Sequence, residues 1–524
     1  MDNIADIYEL SPMQQGMLFH TLCSTAGEYF EQVSCVVSRL KKQAFRQAWT
    51  TVVNKHPILR TAFHWEELDT PLQVVHSQVD LPWQDLDWQN LPEVEQQERL
   101  EAFLERDRAQ GFELDQAPLM RCTLIQLTAD TAQFVWSHHH LLIDGWSLQL
   151  LLKEVLSFYK AFQQGQDLSL PSPRPYRDYI LWLQQQNLSQ AEAFWRQELQ
   201  GFQSPIPVGD QRVSSCQSDY DEQQFHLSSE LTAALQSLAR QHHLTLNTLI
   251  QGAWALLLSR YSGQEDVVFG TTVSGRPAAL KGVETMVGPF INTLPVRVQC
   301  TQADLLPWLQ QLQTTQVERE QYAYAPLVEI QGWSEVPRGT PLFETLLVFE
   351  NYPVSAVQQQ GSLEMGSVRA FERTNYPLTV VAIPAEELLV RLIYDRNRFE
   401  PEAIARTIEH WQTLLAGMVA NPDSKVTDLP LLTDAEHQLL IEWNATAADY
   451  PAQSMAQLFE EQVQKTPHAI AVEGPLQQLS YRELNTRANQ LAHYLHRLGV
   501  GPEVLVGICT ERSVEMIVAL LGIL

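Results

Sequence analysis

Phe134-Val135-Trp136-Ser137-His138-His139-His140-Leu141-Leu142-Ile143-Asp144-Gly145-Trp146-Ser147 is the stretch around which the rest of the chain is read. Ala132 to Ser137 is β-branched and aromatic, which predicts a strand. The histidines follow at its end, at the mouth of a rigid element where reactive side chains are well placed. Histidine is the natural general base near neutral pH. Asp144 sits in an apolar run, and a buried carboxylate needs a cationic partner or several hydrogen bonds. Gly145 permits a turn that other residues resist. Beyond it Leu148, Leu151, Leu152, Val155, Leu156 and Tyr159 recur at helical spacing. Adjacent histidines on a strand point to opposite faces and chelate poorly together, so no metal is expected at the run. A second pair, His242-His243, reads as a bland pair on a helix.

Outward from this stretch the chain has 524 residues, 45% hydrophobic and 19% charged, enough for several folding units around large cores. With 35 basic and 62 acidic side chains the formal charge is −27, which disfavours nucleic acid and anionic membrane as partners. Cys23, Cys35, Cys122, Cys216, Cys300 and Cys509 form no CxxC pair and read as buried free thiols of a reducing compartment, the cytoplasm. The opening residues lack the charged and apolar regions of a signal peptide. The apolar run Val514 to Leu524 is short of the roughly 20 residues of a membrane span and is expected to be a buried helix.

Helical and strand patterns alternate, so the class is α/β. Ser11 is a plausible N-cap for a helix through Met13, Met17, Leu18 and Leu22, and Gln47 to Val53 ends another. Leu231 to Tyr261 reads as one long helical region; Val267 to Val273 and Thr293 to Val298 read as strands. Gly165 to Tyr176, rich in Pro and Ser, looks like a crossing between two lobes, and Ser204 to Ser218 is irregular. Asn421 to Ser454 carries the marks of a linker. The expected division is a first lobe over 1–170, a second over 171–430, a linker over 431–455 and a further piece over 456–524.

His139-His140-Leu141-Leu142-Ile143-Asp144-Gly145 matches the HHxxxDG motif of the condensation domains of nonribosomal peptide synthetases. Other segments resemble the family in order: Leu10 to His20 its opening helix, Lys55 to Phe63 its RHxxLRTxF segment, and Tyr176 to Trp182 its YxDFxxW segment. Phe269 to Pro277, Val287 to Arg297 (its VGxFVNTxxxR segment) and Pro341-Leu342-Phe343 follow. The resemblance covers about residues 5–430. Lys55 stands where the family has Arg, and Lys cannot reproduce a bidentate guanidinium fork; Arg60 is retained. The family's HQDYPFE segment is only loosely matched by Tyr322 to Leu327. Leu479 to Asn485 resembles the early LTYxEL segment of adenylation domains, and Val514 to Leu524 the helix before the next motif. No phosphate loop follows, so amino-acid activation is not expected of this chain. The terminal piece, short of its core, is expected to be poorly ordered or unstable alone.

The resemblance implies a two-lobed, V-shaped fold like chloramphenicol acetyltransferase, plus a partial α/β adenylation subdomain. It implies that two carrier domains bring thioester substrates through opposite ends of a tunnel, where the acceptor amine attacks the donor thioester. No cofactor is expected on this chain; phosphopantetheine arrives on the carriers. His140 is the residue expected at the chemistry, either taking a proton from the amine or steering it. His139 is expected to be structural. Asp144 is expected to form an ion pair, with Arg276 first and Arg60 second as partner. The Gly145 N–H either stabilises an oxyanion at the helix start or serves only the turn. Asn292 either lines the floor between the lobes or hydrogen-bonds in the core, and Trp146 is expected in the core. Two rivals stand: an epimerisation domain sharing the motif, and a non-catalytic module that recruits a partner. A heterocyclising relative would carry aspartates in place of the paired histidines and is excluded; no GxSxG elbow marks a serine hydrolase.

Overall fold

The computed structural model describes residues 3–23, 27–210, 219–351, 364–450 and 452–524. The chain divides into two compact units, Met1–Ala435 and Glu436–Leu524. Its class is mixed α/β, as the alternating patterns require.

The first half of the large unit contributes β1 (Ile4–Glu9), β2 (Phe30–Ser38), β3 (Thr61–His64), β4 (Leu72–His76), β5 (Trp83–Asp87), β6 (Met120–Gln126) and β7 (Thr131–His139). The second half contributes β8 (Tyr220–His226), β9 (Asp266–Val273), β10 (Asn292–Gln299), β11 (Thr345–Phe349), β12 (Glu364–Phe371), β13 (Leu378–Ile383) and β14 (Leu389–Asp395). Among the described residues these form three sheets, ordered β1-β4-β3, β12-β2-β7-β6-β5 and β10-β9-β11-β13-β14-β8.

β7 is covered on both faces, and its period-two alternation sorts its residues. Phe134 and Trp136 pack with Phe45 and Trp49 of helix Lys42–Lys55, the two tryptophan rings 4.7 Å apart. Val135 faces the other way, onto Leu100 and Leu104 of helix Glu93–Gln110. β7 therefore has its place fixed before its histidines are reached.

Several expectations shift. The division at residue 170 is crossed by β12, a strand from the second half that pairs antiparallel with β2 of the first. The long helical region breaks into Ser229–Gln241 and Leu246–Ser262, because His243 takes φ +56° and Thr245 caps the second helix. His242-His243 is thus a turn and not a helical pair. The segment read as a linker holds helix Asp434–Trp443, built of good helix formers but with no buried residue. Cys35, Cys122 and Cys300 are buried free thiols, whereas Cys23 and Cys509 are exposed; Cys216 and most of the irregular stretch near it lie outside the described residues. Ser11 does cap helix Pro12–Cys23: its Oγ accepts from Gln14 N, while Gln14 Oε1 accepts from Ser11 N.

The small unit pairs β15 (Ile470–Glu473) with β16 (Gln478–Ser480). Ser480 and Glu483 form a capping box that starts helix Tyr481–Arg497. Leu479, Leu484 and Val514 make its core. Helix Val514–Ile523, expected to be buried, buries only Val514 and Gly522, because this core covers one side of it. Among the described residues no helix is long and apolar enough to cross a membrane.

Gly275 makes a tight backbone approach in the large unit. It has φ +57°, and a Cβ there would overlap the Phe290 carbonyl oxygen. Gly275→Ala is expected to cost about 3 kcal/mol, from overpacking plus left-handed strain, read as an earlier unfolding transition in urea.

Candidate active site

The site is assembled by strand register. In the β2–β7 pair Glu31 lies opposite His138, and directly opposed residues share a face. On the other edge of β2, Phe371 of β12 lies opposite Gln32, so Glu372 follows beside Glu31. The chain just past β7 is held by His140 N–H donating to Tyr29 O at 2.9 Å. Ligand-type atoms of Glu31, His140 and Glu372 fall within 4.8 Å of one another.

His140 is buried, and its two ring nitrogens are distinct. Nδ1 lies 2.6 Å from Ile143 O, and a carbonyl only accepts, so Nδ1 carries a hydrogen. Nε2 lies 3.3 Å from Glu31 Oε1. That contact is favourable only with a proton on one side of it. The resting pair therefore holds a shared proton. Burial presses the His140 pKa down, but Glu31, Glu372, the Ile143 carbonyl and Asp144 outweigh it and hold it above the ordinary 6.5. Burial pushes Glu31 well above the ordinary carboxylate range, against the pull of His140. His138 and His139 differ: burial, with His140 adding, drives both down to about 3, so both are neutral. His138 Nε2 is 3.3 Å from Glu31 Oε2. His139 is structural in its contacts: Nδ1 accepts from Leu141 N and Nε2 meets Thr21 Oγ1.

Asp144 is turned away into a network that closes the turn. Oδ1 accepts from Ser147 N at 2.8 Å, capping helix Gly145–Gln163, and Oδ2 accepts from Phe290 N at 2.9 Å. Arg276 Nη2 reaches Oδ1 at 3.4 Å and Ser147 Oγ at 2.9 Å, while Nη1 donates to Val283 O and Met286 O. Arg276 is the cation beside Asp144. Arg60 is not: it donates to His76 O and Ser77 O, because it lies on the β3–β4 side of the unit. Gly145 opens the helix and lines the cavity. Asn292 is buried, donating to Ala323 O and Ala325 O, and serves the core. Trp146 is exposed instead of buried, because its ring lies over Arg276 and its Nε1 donates outward to Glu284 O. Lys55 replaces the expected fork by division: it takes Glu154 Oε1 at 2.5 Å while His56 Nε2 takes Oε2 at 2.7 Å.

His140 opens on a cavity of about 1000 Å³ bounded by β2, β7 and helix Gly145–Gln163 on one side and by β8, β11 and β14 on the other. One part is apolar, lined by Val33, Leu152 and Leu156 among others. The part around His140 is acidic, with Glu31, Glu350 and Glu372. Sequence reasoning named none of these three. Glu31 interrupts an otherwise half-apolar strand, which is a signal, but its neighbours depend on a strand from the far half of the chain.

The strand, the histidine run and the Asp144 turn thus place His140 at a cavity between two sheet systems. The Condensation domain family model matches residues 4–441, and the chain belongs to that family. The AMP-binding enzyme family model matches residues 459–524. The chain is 48% identical over 529 residues to a linear gramicidin synthase protein of Brevibacillus parabrevis, a match that covers 99% of this chain and 10% of that protein. It is 38% identical over 535 residues to bacitracin synthase 3 of Bacillus licheniformis, covering 99% of this chain and 8% of that protein. The chain thus spans about a tenth of the length of the curated relatives it matches. Among solved structures, a nonribosomal peptide synthetase bound to AMPPNP matches with TM-score 0.81 at 22% identity, over 100% of this chain and 54% of that one. A four-domain nonribosomal peptide synthetase bound to AMP and glycine matches with TM-score 0.74 at 21% identity, over 99% of this chain and 41% of that one. At these identities the structural likeness establishes the fold alone.

Arg276→Ala would leave the Asp144 carboxylate buried beside its backbone donors without a cation. Such a loss is expected to cost about 3–5 kcal/mol, measured by urea unfolding. Arg60→Ala is the control, since it leaves the Asp144 network intact.

Proposed function

We propose that the large unit forms the amide bond of a nonribosomal peptide synthetase. A donor acyl or peptidyl thioester and an acceptor aminoacyl thioester, both on phosphopantetheine arms of partner carrier domains, meet at His140. The observation that carries this reading is His140 itself: Nδ1 is anchored on Ile143 O, and Nε2 is directed toward an acid-lined cavity between the two halves of the unit. An anchored Nδ1 fixes the tautomer in which Nε2 exchanges protons.

The reaction needs few groups. The acceptor nitrogen attacks the donor carbonyl carbon, the C–N bond forms, and the C–S bond breaks. His140 Nε2 takes a proton from the nitrogen and passes one to the departing sulfur. The Gly145 N–H, in the first turn of its helix, is suited to the oxyanion. Asp144 and Arg276 hold the turn and touch no reactant. Phosphopantetheine belongs to the carriers, and the large unit needs no bound cofactor of its own for this step. The exposed thiols of Cys23 and Cys509 suit the cytoplasm, where they stay reduced.

One observation favours a second reading. Three carboxylates beside His140 offer a second base, which epimerisation at an α-carbon requires. Condensation is preferred because the match to the start of an AMP-binding enzyme follows on the same chain, and the relatives align across both parts.

Loaded donor and acceptor carriers mixed with the protein, with product followed by mass spectrometry, test the reading. His140→Ala is expected to lower amide formation by about 100-fold or more; unchanged product would remove His140 from the chemistry. Loss of α-hydrogen to solvent without amide would favour epimerisation. The pH profile adds a signed test. The base form of His140 appears as pH rises through a pKa held above 6.5, so the rate should climb across that range. Glu31→Gln removes the carboxylate that most raises His140, so the acid limb should move to lower pH.

A further inference from the structure

Glu31, Glu350 and Glu372 face one cavity; the guanidinium groups near them hydrogen-bond to other acids, and Arg391 acts on Glu350 and Glu372 through space. Arg391 donates Nε and Nη2 to the two oxygens of Glu222, each at 2.8 Å. Arg369 does the same with Glu101, at 2.6 and 3.2 Å. His138 is wholly buried and points Nε2 at Glu31 from 3.3 Å, yet neither of its ring nitrogens makes a well-formed hydrogen bond. With its pKa near 3 it brings no charge. Glu372 follows the last paired residue of β12, and its carboxylate lies within 4.8 Å of that of Glu31, a placement that destabilises like charges. Glu350 follows the end of β11, held by its N–H donating to Ala382 O at 2.9 Å. Burial and the neighbouring Glu372 raise Glu350 to about 7.

When His140 is protonated it supplies one positive charge to this group. To act as a base it must lose that proton, and three acidic groups are then left around a buried cavity wall. An acceptor aminoacyl thioester arrives at neutral pH with its α-nitrogen largely as ammonium: a compact cation with three donors, in need of deprotonation at this spot.

We propose that Glu31, Glu350 and Glu372 form a cradle that captures the acceptor's α-ammonium and holds it at His140 Nε2. The ammonium gives one proton to the Glu31–His140 pair, and the neutral amine so formed is the nucleophile. Glu350 and Glu372 are positioning residues. They select a cationic amine over a neutral group of the same shape. This rests on the reading that His140 serves an aminoacyl acceptor.

The test uses two probes that differ only in the ammonium: leucyl pantetheine amide and its desamino counterpart, 4-methylpentanoyl pantetheine amide. The amide replaces the thioester, so neither probe hydrolyses, and with no donor present the amine has nothing to attack. Titration calorimetry on the whole chain should show the amine bound about tenfold or more tighter, the scale of a hydrogen bond to a charged group. Glu350→Gln and Glu372→Gln, each checked for an unchanged unfolding midpoint, should bring the ratio toward unity. They should also raise the acceptor KM in the carrier assay more than they lower kcat. Equal binding of the two probes by wild type, or an amine preference that survives both substitutions, overturns the cradle. Should either variant unfold, a neutral polar probe decides: 4-methylpentanoyl with an α-hydroxyl must bind no better than the desamino probe, and binding like the amine overturns the cradle. Wild type that makes amide yet binds both probes equally loses the cradle and keeps condensation. Wild type that prefers the amine but makes no amide keeps the cradle and loses condensation.

Discussion

β2 is the constraint on which the site depends. It has a neighbour on each side, β7 from its own half of the chain and β12 from the other half. Because the side-chain period in a strand is two, a slip of one residue on either edge would turn a whole row of side chains to the opposite face. The register is held by packing. On β7, Phe134 and Trp136 are locked against Phe45 and Trp49. With that pairing set, Glu31 must face His138, and the next turn of chain must bring His140 to the same carboxylate.

The Asp144 network works from the other direction. It does not touch the cavity, yet it closes the loop that carries His140. A carboxylate capping a helix, accepting from Phe290 N and leaning on Arg276 ties the first half of the unit to the Val287–Asn292 region of the second. Gly275 must be glycine for Arg276 to approach in this way, since its backbone nearly touches the Phe290 carbonyl. A buried ion pair contributes little net stability by itself, but it fixes geometry, because each partner is costly when left alone.

How much of this was legible in the sequence follows from range. The strand, the turn, the helix and the isolation of Asp144 are local features, and the motif made His140 and the Asp144–Arg276 pairing readable. The Ser11 cap and the Ser480 capping box are local too. Glu31, Glu350 and Glu372 were invisible because their proximity is a product of register between strands hundreds of residues apart. The exposure of Trp146 was missed for a related reason: an aromatic beside a buried turn looks like core until the cation beneath it is known. Lys55 left open what becomes of the role of the family's Arg, since Lys cannot reproduce its fork. Only the position of His56 reveals that the two share one carboxylate.

The electrostatics of the cavity argue against a purely structural role for its acids. A buried carboxylate is costly unless paired, and two so close together are worse. A fold selected only for stability would replace Glu31 or Glu372 with an apolar residue, as it has at Val33 and Val37 on the same face of β2. Elsewhere the chain pairs its half-buried acids with guanidinium groups: Glu222 with Arg391, Asp107 with Arg121, Glu344 with Arg398. Around His140 that habit weakens: Arg391 donates its hydrogen bonds to Glu222 and acts on Glu350 and Glu372 only through space. The local rule is broken where a proton must come and go, and sites that break local rules against stability are the ones a protein uses.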